Sequence, residues 1–364
     1  MTVRKRARII YNPTSGRETL RSDLVDILAI YEKAGYETSA FATTPAPNSA
    51  KNEATRAAED GFDLIVAAGG DGTLNEVVNG IAGLEHRPTL AIIPAGTTND
   101  YARALRIPRD DPIAAAKLIL KKNKKFKIDI GRAGENYFMN IAAGGTMTEL
   151  TYEVPSQMKS LFGYAAYFAK GAELMPRIKP VDMLIKYDNQ EYRGSASMFM
   201  IALTNSVGGF EQIVPDASLD DGKFTMIIVK KSSVIDMLSL MAKALQGKHL
   251  DDPRIIYAKA TDIEVIPLNK DDRLMVNLDG EYGGDAPMKF HNLKQHLEVI
   301  ANLDEIPEDA ITTSADFKRV EKDFMNGIDD YMLGVWKVAF LSSTKSFSIL
   351  PCASTLKPKC VPVA

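Results

Sequence analysis

The chain has 364 residues, of which 45% are hydrophobic and 25% charged, with a formal net charge of −3. That length is more than one core usually serves, so two domains are expected, and a slightly negative chain has no global attraction to nucleic acid, which is not expected as a partner. The only cysteines, Cys352 and Cys360, exclude a disulfide-built secreted protein, and the histidines show neither HxxxH nor HExxH spacing, so zinc and a histidine triad lack support.

At the start, Arg4 to Arg8 precede an apolar stretch too short for a signal-peptide core, so a cytoplasmic protein is expected. Residues 7–11 read as a buried strand stopped by Asn12, Pro13 and Gly16, and Leu24, Val25, Ile27, Leu28, Ile30 and Tyr31 recur at helical spacing up to Gly35. A strand over 36–43 and a helix over 49–60 follow. The run Leu64 to Ala68 then reads as a strand covered on both faces, with a helix from Thr73. A strand over 89–93 leads through Pro94 to Asp100 into another helical segment. Lys121, Lys122, Lys124, Lys125 and Lys127 form a basic cluster whose plain reading is a solvated turn, the alternative being a binding patch. Alternating strands and helices make residues 1–128 a doubly wound α/β domain whose loops collect at the strand C-termini.

From Asp129 the pattern becomes strand-rich: 182–187, 197–204, 223–229, 262–267 and 274–278 read as strands, with helices over about 159–174 and 234–245. Residues 129–300 are expected to form a β-sandwich. Residues 301–364 are expected to pack partly on the first domain and to be partly disordered; Met332 to Leu341, interrupted by Lys337, is about half the roughly 20 residues that span a bilayer.

The sharpest chemical signal is Gly69-Gly-Asp-Gly-Thr73 at a strand-to-helix junction. Glycines let backbone amides approach a ligand, and a helix N-terminus offers unpaired N–H groups to phosphate. A tight turn capped by Thr73 would need no ligand, but Asp71 is repelled by phosphate unless a cation lies between them, which points to Mg2+. Pro94 to Asp100 repeats the combination of glycine, hydroxyls and an acid, and Asn12-Pro-Thr-Ser-Gly16 adds a third small-polar turn. Neither GxxxxGK[ST] nor GxGxxG is present. Leu278-Asp-Gly-Glu281 supplies a carboxylate at a strand end in the second domain, and Glu281 is the candidate general base for transfer to an alcohol.

These motifs, with Gly69 to Gly80, Ala102-Arg-Ala-Leu105, Asp129-Ile-Gly131 and Leu203-Thr-Asn-Ser206, closely resemble those of the diacylglycerol kinase catalytic family, and most of all its soluble Gram-positive members. The resemblance runs from about Arg4 to Ala301. It implies ATP as phosphoryl donor, contacted by Asn12, Pro13, Thr14, Ser15, Gly16, Thr43, Gly70, Asp71, Gly72, Thr73, Leu74, Asn75, Glu76 and Thr97. It implies a structural Mg2+ held around Ser218, Asp221 and Lys223, and an aspartate, water and Mg2+ network drawing on Asp71, Asp100 and Asp221. Without it, Asp220-Asp-Gly222 reads first as a hairpin turn.

The resemblance likewise assigns general-base catalysis to Glu281, and it implies a homodimer that phosphorylates diacylglycerol at the inner face of an anionic membrane. A docking surface drawn from Phe162, Tyr164, Tyr167, Phe168, Lys170 and Arg17 is one expectation; an aromatic core stripe is the plainer one. Rival readings are a sphingoid-base or NAD kinase, which share the GGDGT signature, and a nucleotide-binding regulator without catalysis.

Overall fold

The structure, a computed structural model, describes residues 4–15, 19–122, 124–145, 180–206, 213–245, 247–269 and 271–306. The expected helix over 159–174, Arg17, Gly16 and the tail beyond 306 lie outside the described residues.

Four parallel strands build the first layer: β1 (Lys5–Tyr11), β2 (Tyr36–Ala42), β3 (Leu64–Gly69) and β4 (Thr89–Pro94), in the spatial order β2-β1-β3-β4. Every residue of β3 and β4 is buried, as a central strand covered on both faces requires. The helices are α1 (Thr19–Lys33), α2 (Ser49–Glu59), α3 (Asp71–Ile81), α4 (Asp100–Ala104) and α5 (Pro112–Lys117). Moving from β1 to β2 runs one way across the sheet, and the crossovers into β3 and β4 run the other way. Right-handed connections therefore place α1 on one face and α2 and α3 on the opposite face. In agreement, α1 packs with α5, and α2 with α3. The helix after β3 starts at Asp71, two residues before the expected Thr73, so the acidic residue itself belongs to the first helical turn.

The remaining strands are β5 (Lys125–Ala133), β6 (Asn136–Phe138), β7 (Ile141–Gly145), β8 (Val181–Tyr187), β9 (Gln190–Ala202), β10 (Phe224–Lys230), β11 (Ile255–Ala260), β12 (Asp262–Pro267), β13 (Met275–Leu278), β14 (Glu281–Asp285) and β15 (Met288–Ile300). Among the described residues these pair antiparallel around a second core in which Phe138, Phe199, Phe224 and Phe290 interlock, with ring centroids 5.7 to 6.3 Å apart. The continuous apolar run in β9 has a period-two explanation. Phe199 and Ile201 face this core, while Met200 and Ala202 face a smaller one covered by α6 (Val234–Leu245) through Met237 and Leu240. The fold is thus a doubly wound α/β unit joined to a β-sandwich.

The two units share strands. β15 pairs antiparallel with β12 and β5 in the sandwich, then meets β4 in parallel at Val299 and Leu90. Its last residues, Leu297, Val299 and Ile300, lie in the first core together with Ile128 and Ile130 of β5. The expected basic turn is partly strand: Lys125 and Lys127 belong to β5, where Lys125 meets Glu298 and Thr89 across β15 and β4. Among the described residues, no helix is long and apolar enough to cross a membrane.

Candidate active site

The parallel register aligns Tyr11 with Ala42 and Ala68, and Gly69 with Pro94, so the loops after β1, β2, β3 and β4 gather at one edge. Because the chain turns in opposite directions from β1 and β3, the crevice between them is the natural ligand site of such a sheet. After β1, Thr14 donates from both its N–H and its hydroxyl to Asn12 Oδ1, at 3.0 and 2.9 Å, which closes the Asn12 to Ser15 turn. The N–H of Thr43 donates to Tyr11 O at 2.9 Å and brings the end of β2 beside that turn.

The loops after β3 and β4 touch through backbone. A Cβ on Gly96 would lie 2.7 Å from Gly70 Cα and 2.8 Å from Asn99 Oδ1, so glycine is required where the loops cross. Buried Asn99, held at φ 49°, fastens the second loop by accepting from Gly96 N and donating to Gly96 O, both at 2.8 Å. Its own N–H donates to Asp71 Oδ2 at 3.0 Å. Burial pushes the Asp71 carboxyl up to about 7, and the nearby charge of Asp100 adds to the rise against the amide donors of Asn99 and Asp100.

Glu281 arrives from the sandwich. β13 and β14 are joined by Asp279 and Gly280, at φ 51° and 98°, the left-handed pair of a two-residue hairpin, so Glu281 opens β14 opposite Leu278. Asp279 anchors this turn. Its Oδ1 accepts from the N–H groups of Asn140 and Ile141, both at 2.9 Å, and its Oδ2 accepts from Met139 N at 2.7 Å and Asn75 Nδ2 at 3.3 Å. Burial raises the Asp279 carboxyl, and these donors oppose the rise. A second bridge joins Asn79 to Tyr137, whose backbone O and N–H pair with the Asn79 amide at 2.9 and 2.8 Å. Together these contacts hang the hairpin over α3, and a Cβ on Gly72 would stand 3.6 Å from Glu281 Oε1.

The structure therefore brings Glu281, Asp71, Asp100, Gly70, Gly72, Asn12 to Ser15, Thr43 and exposed Thr97 to the same edge. At three further expected positions the side chains have partners within the protein. The Leu74 side chain is core. The Glu76 carboxylate accepts from Ala50 N at 2.8 Å and Lys51 N at 3.4 Å, capping the first turn of α2. The Asn75 amide goes to Asp279. Asp221 sits apart, in the turn before β10. It accepts from Lys223 N at 2.9 Å and faces Lys259 Nζ at 3.5 Å, while the Ser218 hydroxyl donates to Asp220. Buried Asp129 holds this turn by accepting from Gly222 N at 2.5 Å and Gln295 N at 2.7 Å.

Sequence reasoning assigned no role to Asn99, Asp279, Asn79 or Asn140. Asp279 had a signal, because Asp-Gly between two apolar stretches is a hairpin turn; the others act through pairings that only the assembled fold creates.

The same two-part organisation appears in known families. The diacylglycerol kinase catalytic domain matches residues 6–133, and the YegS C-terminal NAD kinase beta sandwich-like domain matches residues 146–301. A diacylglycerol kinase of Bacillus subtilis (strain 168) is 50% identical over 296 residues, which cover 81% of this chain and 96% of that protein. The chain belongs to the diacylglycerol kinase catalytic family. A diacylglycerol kinase of Staphylococcus aureus is 49% identical over 310 residues, 85% of this chain and 96% of its own length. A crystal structure of a diacylglycerol kinase from Bacillus anthracis superposes with a TM-score of 0.68 at 28% identity, covering 83% of this chain and 99% of the other. Kinase chemistry thus comes with the family, and the chain is a lipid kinase.

Proposed function

We propose that the chain transfers the γ-phosphoryl group of ATP to the free hydroxyl of diacylglycerol, giving phosphatidic acid and ADP, in the cytoplasm against the inner, anionic face of the membrane. The observation that carries this reading is the Glu281 carboxylate suspended over the Gly70-Asp71-Gly72 turn at the start of α3. Polyphosphate would lie along the Asn12 to Gly16 turn and the α3 N-terminus, whose amides and dipole favour anions. The lipid hydroxyl would enter from the sandwich side, where Glu281 accepts its proton as the new P–O bond forms and the bond to the departing ADP oxygen breaks.

Asp71 and Asp100 suit Mg2+. They are hard oxygen donors near enough that the charge of one raises the carboxyl of the other. Among the described residues, no three His, Cys, Asp or Glu side chains converge on a metal position, so phosphate oxygens and water would complete the shell of an ion held here. When bound, it would neutralise charge on the transferring group. The Ser218, Asp221 and Lys223 turn is the second proposed Mg2+ position; there Lys259 now faces the Asp221 carboxylate. A homodimer and a place in phospholipid recycling rest on the family resemblance, and sedimentation would check the dimer.

The deciding assay is transfer of labelled phosphate from Mg·ATP to diacylglycerol in anionic mixed micelles, with sphingosine and NAD as competing acceptors. Labelled phosphatidic acid that is lost in Asp71→Ala and Glu281→Ala supports the reading. Label in another acceptor would replace the substrate, and ATP bound without any transfer would leave a regulator.

A further inference from the structure

Leu203-Thr-Asn-Ser206 follows the apolar end of β9, Met198 to Ala202, and has the composition of a solvent turn, yet Thr204, Asn205 and Ser206 are 1%, 8% and 0% exposed. Buried hydroxyls are costly unless they are hydrogen-bonded, and those of Thr204 and Ser206 find partners in a particular order. Leu203 N donates to Asn140 O at 2.9 Å, and the Thr204 hydroxyl donates to Asn140 Oδ1. Ser206 N donates to Thr204 Oγ1 at 3.2 Å. The Ser206 hydroxyl then leaves the sandwich and donates to Asp100 Oδ1 at 3.1 Å.

Followed onward, these bonds close on themselves. Asp100 and its neighbour Asn99 give their N–H groups to Asp71 at the start of α3. One turn along α3, Asn75 donates to Asp279, and Asp279 accepts from the N–H of Asn140, where the path began. The circuit crosses between the α/β unit and the sandwich twice, once at Asn75 with Asp279 and once at Ser206 with Asp100. The first crossing carries the hairpin that presents Glu281. The second grips the carboxylate beside Asp71.

We propose that Ser206 is a positioning residue for phosphoryl transfer. Its hydroxyl fixes the rotamer of Asp100 so that the Asp71 and Asp100 oxygens hold a set spacing, and it locks the sandwich in the register that puts Glu281 over the α3 N-terminus. Fully buried, Ser206 acts through Asp100. The inference rests on the kinase reading above, and it adds a residue whose loss should be felt in turnover and Mg2+ dependence while nucleotide contacts remain.

The test is Ser206→Ala in the full chain, read by kcat and KM for ATP, by the Mg2+ concentration giving half-maximal rate, by calorimetric binding of ADP at varied Mg2+, and by melting temperature. Losing one hydrogen bond to a charged group should lower kcat about 10- to 100-fold. KM for ATP should change by less than about 3-fold, with the Mg2+ requirement of both turnover and ADP binding raised by about 3-fold or more on the same energetic scale. Unchanged kcat overturns the proposal, and so does a loss that leaves the Mg2+ requirement untouched. If the wild-type chain transfers phosphate to no acceptor, the kinase reading fails on its own, and the Mg2+ dependence of ADP binding still decides the role of Ser206. Should Ser206→Ala fail to fold, Thr204→Val, which keeps side-chain shape and cuts the circuit at Asn140, takes the same measurements with the same criteria.

Discussion

Replacing Asp71 by asparagine should make the metal-free protein more stable at alkaline pH while destroying its activity. The folded-state carboxyl is raised from 3.8 to about 7, first by burial and then by the charge of Asp100. A carboxyl raised by folding binds its proton more tightly in the folded chain. Its stabilising contribution is therefore complete below about pH 4 and fades as pH rises through about 7, where the folded chain holds an unfavourable buried charge. A rise of about three units corresponds to roughly 4 kcal/mol, and water in the cleft reduces this to on the order of 2–4 kcal/mol. Asparagine keeps an acceptor for the Asn99 N–H and carries no charge at any pH. In EDTA at pH 8, Asp71→Asn should accordingly melt roughly 5–10 °C above wild type, with most of that gap gone at pH 4.5. Added Mg2+ should raise the wild-type melting temperature at pH 8 and leave the variant nearly unmoved, and kcat should fall at least ~100-fold for loss of a group that organises transition-state charge. Thermal scans at the two pH values, with and without Mg2+, measure all of this. A variant that melts below wild type by the same margin at both pH values would refute the reasoning, because Asp71 would then be an ordinary structural hydrogen-bond acceptor.

Glu281→Gln should lower kcat by roughly 10²- to 10⁴-fold with the melting temperature little changed, since the group is exposed and its proposed task is proton acceptance; steady-state kinetics with diacylglycerol micelles would show it. Gly96→Ala places a methyl against Gly70 Cα and Asn99 Oδ1, so the loops after β3 and β4 must separate; a stability loss of about 1–3 kcal/mol and weaker ADP binding are expected from denaturant titration and calorimetry. Asp279→Ala strands the N–H groups of Met139, Asn140 and Ile141 together with the Asn75 amide. It should cost about 3 kcal/mol or more in urea unfolding and reduce kcat as well, whereas an unchanged midpoint would mean that water replaces the carboxylate without penalty.

What the sequence by itself determined is local. The run from Leu64 to Ala68 reads as a strand shielded on both faces, and the glycines at 69, 70 and 72 mark a tight turn where backbone can approach a ligand. Asp71 within that turn called for a cation, and the ordered motifs carried the family. Tertiary structure decided which of those residues face the cleft. Glu76 and Leu74 lie in the same short motif as Asp71, yet a helix turns successive side chains by about 100°, which sends Leu74 into the core and Glu76 to the α2 N-terminus. The sequence is equally silent on Asn75 with Asp279, Asn79 with Tyr137, and Ser206 with Asp100. Each partner obeys the rules of its own segment, and the pairs form only because β15 and β5 stitch the sandwich onto the α/β sheet. That is why the candidate carboxylates, Asp71 and Glu281, could be proposed in one dimension, while the circuit that holds them in register exists only in three.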